Sequence, residues 1–275
     1  MALLFSEVLG KEVKVPDAPK RIVCFSPAAT ETLFNIGLAE SVVGVSAFCA
    51  RPAEARQKRR VGSYNTVSRE LLEEISPDLI LTVTGYQREF AVRLSAHFTV
   101  YPLELPVSVA GIVDLVVKVG LVTGSPDAAK ELASSLLRRL AAVPRVPKCT
   151  AHVEIDLGGP VSFGAHSYIT DAIRFLGCSS LFEKERREWL SSDLDVVAER
   201  DPDAIIYEAK MYSKFGMQDL AELMRSRGWE NLRAVRNGNC FLTPGPLDFL
   251  AHHGPSFVTE AMPWLAEKLG DAARA

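Results

Sequence analysis

The side chains of this sequence best suited to chemistry are five histidines (His97, His152, His166, His252, His253) and five cysteines (Cys24, Cys49, Cys149, Cys178, Cys240). Imidazole and thiolate bind transition metals and act as bases or nucleophiles. The histidine spacings match no metal motif, and no Cys-x-x-Cys is present. An odd number of cysteines without paired spacing predicts free, mostly buried thiols. The sequence also has no Gly-x-Ser-x-Gly elbow, no His-Glu-x-x-His, no P-loop and no Gly-x-Gly-x-x-Gly. The histidines are therefore expected to be solvated or satisfied in the core. His166 is the exception, because it stands between Phe163 and Tyr168 on an expected ligand-facing loop.

A second kind of chemistry, stacking on aromatic rings, is carried by an internal repeat. Tyr64 is followed six residues later by Glu70, and seven after that by Pro77-Asp78-Leu79-Ile80. Trp189 is followed six later by Asp195, and seven after that by Pro202-Asp203-Ala204-Ile205. Upstream, residues 30–37 (Thr30 to Gly37) parallel residues 170–177 (Thr170 to Gly177). Tyr64 and Trp189 are expected on loops, one per half, where an apolar ring with a polar tip suits stacking on a flat ligand.

These residues need elements to hold them. Apolar runs at 21–25, 42–45, 79–83 and near 100–103 alternate with helical stretches, which reads as a parallel sheet covered on both faces. Ser26-Pro27 starts a helix that stops near Gly37. Ser125-Pro126-Asp127 starts a longer one reaching about Ala142, ended by the linker Pro144-Arg145-Val146-Pro147. A second series follows, with strands at 149–157, 204–207 and 240–242, a helix at 170–176 stopped by Gly177, and a closing helix at about 255–269. The fold class is α/β, with two Rossmann-like lobes joined by a single long helix and a ligand cleft between the lobes. The expected boundaries are 1–124 for the first lobe, 125–143 for the connecting helix and 144–275 for the second lobe. Sheets of this kind bind ligands outside the carboxyl ends of their strands.

Composition narrows the function. A net charge of −3 argues against a nucleic-acid partner. No window of about 18 apolar residues is present. The opening Met1-Ala2-Leu3-Leu4-Phe5 is too short and uncharged for a signal peptide, so the expectation is a removed leader or a cytoplasmic protein.

Five segments in order carry a resemblance: Pro19-Lys20-Arg21-Ile22-Val23, Ser26-Pro27-Ala28-Ala29-Thr30-Glu31, Val43-Gly44-Val45-Ser46, Val61-Gly62-Ser63-Tyr64 and Pro77-Asp78-Leu79-Ile80. From about Pro19 to Leu269 the chain resembles the substrate-binding proteins of ABC importers for cobalamin, haem and iron–siderophores, with the cobalamin binders most alike. The resemblance implies two α/β lobes on one stiff helix of roughly 25 Å and a monomeric, extracytoplasmic protein without catalytic activity or cofactor. Its ligand would be a corrinoid, and its partner an ABC permease dimer with its ATPase. By motif the ligand-binding aromatics fall on Phe48, Tyr64, Tyr86, Phe163 and Trp189. His166 becomes a candidate axial ligand to cobalt or iron, and Asp248 the acid of the second lobe. In haem binders a tyrosine follows the Val-Gly pair, where this chain has Ser63. Glu70 and Asp195 match the acids that meet permease arginines. The relatives' second-lobe disulfide is not expected here, because Cys178 has no partner at the family position. The alternatives are a haem or ferric-siderophore binder of the same fold, or a cytoplasmic enzyme or sensor of tetrapyrrole metabolism.

Overall fold

Short buried strands alternating with capped helices fold the chain into two compact units. One comprises Met1–Pro106 and Ala110–Arg138, the other Val107–Val109 and the residues from Arg139 onward. The structure is a computed structural model describing residues 1–274; residue 275 and the side chain of Tyr86 lie outside the described residues.

The first unit opens with an antiparallel hairpin of β1 (Ala2–Ser6) and β2 (Lys11–Val15). Then come β3 (Ile22–Cys24), α1 (Pro27–Asn35), β4 (Val42–Ser46), β5 (Arg60–Gly62), α2 (Arg69–Ile75), β6 (Leu79–Val83), α3 (Arg88–Leu94) and β7 (Val100–Leu103). Two helices follow, α4 (Val109–Val122) and α5 (Pro126–Ala142). The sheet is wholly parallel, in the order β5-β4-β3-β6-β7. Every residue of β3 and β6 is buried, which is why these strands are continuous apolar runs rather than alternating ones. α1 begins as its sequence predicts: the Ser26 hydroxyl accepts the Ala29 N–H at 3.2 Å, and Pro27 fills the first turn. It ends at Asn35, with Ile36 as cap.

The second unit contains β8 (Thr150–Asp156), β9 (Pro160–Phe163), α6 (Tyr168–Leu176), β10 (Ser179–Ser180), β11 (Trp189–Ser191), α7 (Leu194–Arg200), β12 (Ala204–Glu208), α8 (Met217–Ser226), α9 (Arg233–Arg236), β13 (Cys240–Leu242) and α10 (Met262–Ala272). Its sheet runs β11-β9-β8-β12-β13, with β10 beside the start of β8. This sheet is mixed. β8, β12 and β13 are parallel, whereas β9 and β11 are antiparallel to their neighbours. β10 follows α6 and pairs with β8 as β4 follows α1 and pairs with β3. The β9 hairpin is then an addition that occupies the far half of the same edge.

The repeat corresponds to one device built twice. α2 and α7 each have seven residues and end on a left-handed residue, Ser76 (φ 50) and Asp201 (φ 43). A Pro-Asp pair follows in each. The Asp78 carboxylate accepts the N–H groups of Lys20 (2.7 Å) and Arg21 (3.0 Å), while its own N–H donates to the Arg21 carbonyl. Likewise the Asp203 carboxylate accepts the Thr150 N–H (2.7 Å), and its N–H donates to the Thr150 carbonyl. Each aspartate thereby clips the start of its own strand to the start of the neighbouring central strand, β6 to β3 and β12 to β8.

The cysteine expectation is corrected in one respect. Cys149 and Cys178 form a disulfide, with Cα atoms 4.9 Å apart. They are 29 residues apart in sequence, so the pairing comes from β8 and β10 lying side by side, where Ser179 is the register partner of Thr150. Cys24 and Cys49 are free and buried, and Cys240 is free and partly exposed. Among the described residues no helix is long and apolar enough to cross a membrane.

Candidate functional site

In the first unit the predicted aromatics follow the carboxyl ends of parallel strands. Phe48 comes two residues after β4 and is 40% exposed. Tyr64 comes two residues after β5, and its ring meets Phe48 edge to face at 6.0 Å. Tyr86 lies in a 3₁₀ turn after β6, with its side chain outside the described residues. The Tyr64 loop is a tight turn. The Ser63 N–H donates to the Thr66 carbonyl (3.0 Å) and the two hydroxyls lie 2.7 Å apart. A Cβ at Gly62 would stand 2.0 Å from the Thr66 oxygen, so only glycine fits there.

Gln87 organises this end of the unit and escaped the sequence reading. It is fully buried. Its Oε1 accepts the Val83 N–H (2.8 Å), and its Nε2 donates to the carbonyls of Phe25 (3.0 Å) and Tyr64 (2.6 Å). One amide thus ties the Tyr64 loop to the ends of β3 and β6. Its only sequence signal was its place one residue after Tyr86, which is weak.

In the second unit Trp189 opens strand β11 rather than a loop, with Phe163 of β9 as its register partner. Trp189 is 41% exposed and Phe163 only 8%, so the tryptophan offers a ring and the phenylalanine lies in the core. His166 is exposed, in the turn between β9 and α6. Three successive N–H groups of that turn, at Gly164, Ala165 and His166, donate to the carbonyls of Glu188 (3.2 Å), Glu185 (2.7 Å) and Arg187 (3.0 Å). A Cβ at Gly164 would meet two of those carbonyls at 2.5 Å. Asp248 is partly exposed in the turn after β13. Ahead of it Glu208 ends β12 almost wholly buried, and an acid closing an otherwise apolar strand is a signal the sequence did contain.

Glu70 and Asp195 are exposed in the first turns of α2 and α7. The Ser68 hydroxyl donates to Glu70 (2.6 Å), and that bond holds the Glu70 carboxyl below the usual range. The Asp193 cap accepts the N–H groups of Asp195 and Val196.

Several other reactive groups are buried and held in structural contacts. His152 Nε2 lies 3.3 Å from Glu154 and 3.5 Å from the Ser192 hydroxyl, so hydroxyl and acid converge on one ring nitrogen. A serine–histidine–acid relay needs them on opposite nitrogens. Burial pushes the His152 imidazole below its usual range, despite the pull of Glu154. Burial raises Glu154, but the bonds from His152 and the two-pronged Arg227 (2.9 and 2.7 Å) outweigh it and leave the acid below its usual range. Burial pushes both the Cys24 and Cys49 thiols up, so neither supplies a thiolate at neutral pH. Among the described residues no three His, Cys, Asp or Glu side chains are grouped to hold a metal ion. A groove of about 570 Å³ in the second unit is lined by Arg139, Val143, Arg145, Val258, Pro263 and Arg274 and contains none of the predicted site residues.

Exposed aromatic rings, beyond strand ends in one unit and on a sheet edge in the other, suit ligand binding. The chain belongs to the periplasmic binding protein family, whose sequence model matches residues 22–247. It is 27% identical over 203 residues to the cobalamin-binding protein of Halobacterium salinarum, covering 70% of this chain and 55% of that protein. The chain therefore spans only a little over half the length of that relative. Two solved structures share the fold. The periplasmic vitamin B12-binding protein BtuF of Vibrio cholerae matches with a TM-score of 0.73 at 19% identity, over 94% of this chain and 99% of that one. The periplasmic haem-binding protein RhuT of Roseiflexus sp. RS-1 matches with a TM-score of 0.75 at 21% identity, over 92% and 99%.

Proposed function

We propose that this chain is the substrate-binding protein of an ABC importer and that it holds one corrinoid, passing it unchanged to a permease dimer. The observation that carries this reading is the aromatic pair Phe48 and Tyr64 at the end of one sheet, answered by the exposed Trp189 at the edge of the other. Stacked rings add about 0.5–1.5 kcal/mol each beyond burial, which suits a large flat ligand. The relative named for cobalamin supports the corrinoid. Tyr86, Phe163, His166 and Asp248 complete the proposed contact set. The Cys149–Cys178 disulfide supports an extracytoplasmic location, since such bonds persist outside the reducing cytosol. Glu70 and Asp195, exposed at the starts of equivalent helices, are the proposed permease contacts.

The exposed His166 supports a second reading, in which its imidazole coordinates the iron of a haem. Ser63 weighs against haem, because its hydroxyl sits in the turn against Thr66 where those binders carry a ligating tyrosine. Titration calorimetry with cyanocobalamin, cobinamide and haemin separates the two. The expected result is one corrinoid per chain with a Kd below about 1 μM. Absence of both heat and thermal shift with either corrinoid would overturn the corrinoid reading, and a shifted haem absorption band with haemin alone would establish the second.

A further inference from the structure

Glu208 lies at the carboxyl end of β12, inside the sheet, and the ligand reading above gives it no task. Its carboxyl group faces the segment that runs Asp248-Phe249-Leu250-Ala251-His252-His253. It accepts the Leu250 N–H on one oxygen and the Ala251 N–H on the other at 3.1 Å, and the Phe249 N–H also bonds to it. From the other side the Tyr168 hydroxyl of α6 donates to the Leu250 carbonyl at 2.7 Å. Phe249, Leu250, His252 and His253 are buried, yet the segment forms no strand or helix with neighbours. Side chains therefore supply the bonds that a ladder would otherwise supply. The His253 Nε2 is buried with no hydrogen-bond partner, so this polar interior is only partly satisfied.

We propose that Glu208 is a positioning residue: it closes the 248–253 segment over the end of β12, fixes where Asp248 stands, and makes ligand affinity answer to pH. The proposal rests on Asp248 facing the ligand, as read above. Burial pushes the Glu208 acid up to about 8, against the pull of the Leu250 N–H, and the charge on Asp248 pushes the same way. The elements packed against it bring Ile155 of β8, its register partner, and Tyr168 of α6, bonded to the same segment. The segment itself carries Asp248, His252 and His253. Burial, with His252 adding to it, drives the His253 imidazole down to about 3, so it stays neutral. Asp248 is the charge that bears on Glu208.

The sign follows from linkage. The acid holds its proton more tightly when the segment is closed than when water reaches it. Closure is therefore favoured most below the ordinary glutamate range and loses that advantage as pH rises through about 8. Above that pH a second negative charge beside Asp248 is relieved by letting the segment open. Lower pH should tighten the site and alkaline pH should loosen it.

Two readouts test this in ligand-free and ligand-bound protein. The first is hydrogen exchange at the Phe249, Leu250 and Ala251 amides, expressed as protection so that base catalysis is removed. The second is the Kd for cyanocobalamin at pH 7 and pH 9. Wild type should lose about tenfold in protection between these values, and its Kd should rise. Glu208→Gln, which never charges, should bind no worse at pH 9 than at pH 7, and Glu208→Ala should lose protection at both. Undiminished pH dependence in Glu208→Gln, or full protection in Glu208→Ala, would overturn the proposal, as would a wild-type Kd that does not rise between pH 7 and pH 9. If Glu208→Ala fails to fold, wild type and Glu208→Gln decide alone. If cyanocobalamin does not bind at all, the ligand reading has failed, and the exchange measurement still decides the role of Glu208.

Discussion

A tryptophan that is two-fifths exposed at the edge of a sheet is costly to leave in water, and a binding site is a reason to keep it there. The three tryptophans differ sharply in surroundings. Trp229 is buried under the Arg227 guanidinium, 4.8 Å from its ring, and Trp264 packs on Phe249 at 5.6 Å. A corrin absorbs where indole emits, so ligand should quench Trp189 most. Trp189→Ala should remove the larger part of the quench and weaken binding up to about tenfold, the equivalent of one lost stack. Fluorescence titration of wild type and variant checks both, and a full quench in the variant would place Trp189 away from the ligand.

At the scale of elements, the Pro-Asp clips make the same contribution in each unit. Removing a carboxylate that holds strand N–H groups should cost about 1–2 kcal/mol, at the low end for Asp78 because its bonds are exposed. Asp203 also bonds the Thr150 hydroxyl and meets Arg233 at 2.7 Å, so Asp203→Ala should cost more than Asp78→Ala. Their partners are not shared, so the double variant should be additive within about 0.5 kcal/mol in urea unfolding. The repeat was legible because a fixed order of residue types recurs in each half: an aromatic, an acid, Pro-Asp and a buried strand. Helix α1 was legible through Ser26-Pro27, and α6 through Gly177, which takes φ 101 at its cap. Other features left little local trace. α4 is apolar nearly all round, with Ile112, Leu115, Val116 and Val119 buried among further valines, so its helical period is masked. Trp189 sits on a strand because the β9 hairpin, an addition to one unit only, pairs with it. The roles of Gln87 and Glu208 and the Cys149–Cys178 bond depend on partners tens of residues away, which no spacing reveals.

At the scale of the whole molecule, the proposed partner is a two-fold permease, and two like charges at equivalent helix starts suit it. Exposed charges of this kind add little stability but steer docking. Glu70→Lys combined with Asp195→Lys should leave corrinoid affinity and Tm within error of wild type, and should abolish stimulation of the cognate ATPase in liposomes. Normal stimulation by the double variant would remove both residues from the interface. The paired clips also bear on how the chain reaches its fold. One joins residues 58 apart, Lys20 to Asp78, and the other residues 53 apart, Thr150 to Asp203. The entropy lost on closing a loop grows only with the logarithm of its length, so these two closures differ by less than about 0.1 kcal/mol. Neither half has a topological head start over the other while the thiols are reduced. Oxidation of Cys149 and Cys178 breaks the tie, because it constrains 29 residues of one half and none of the other.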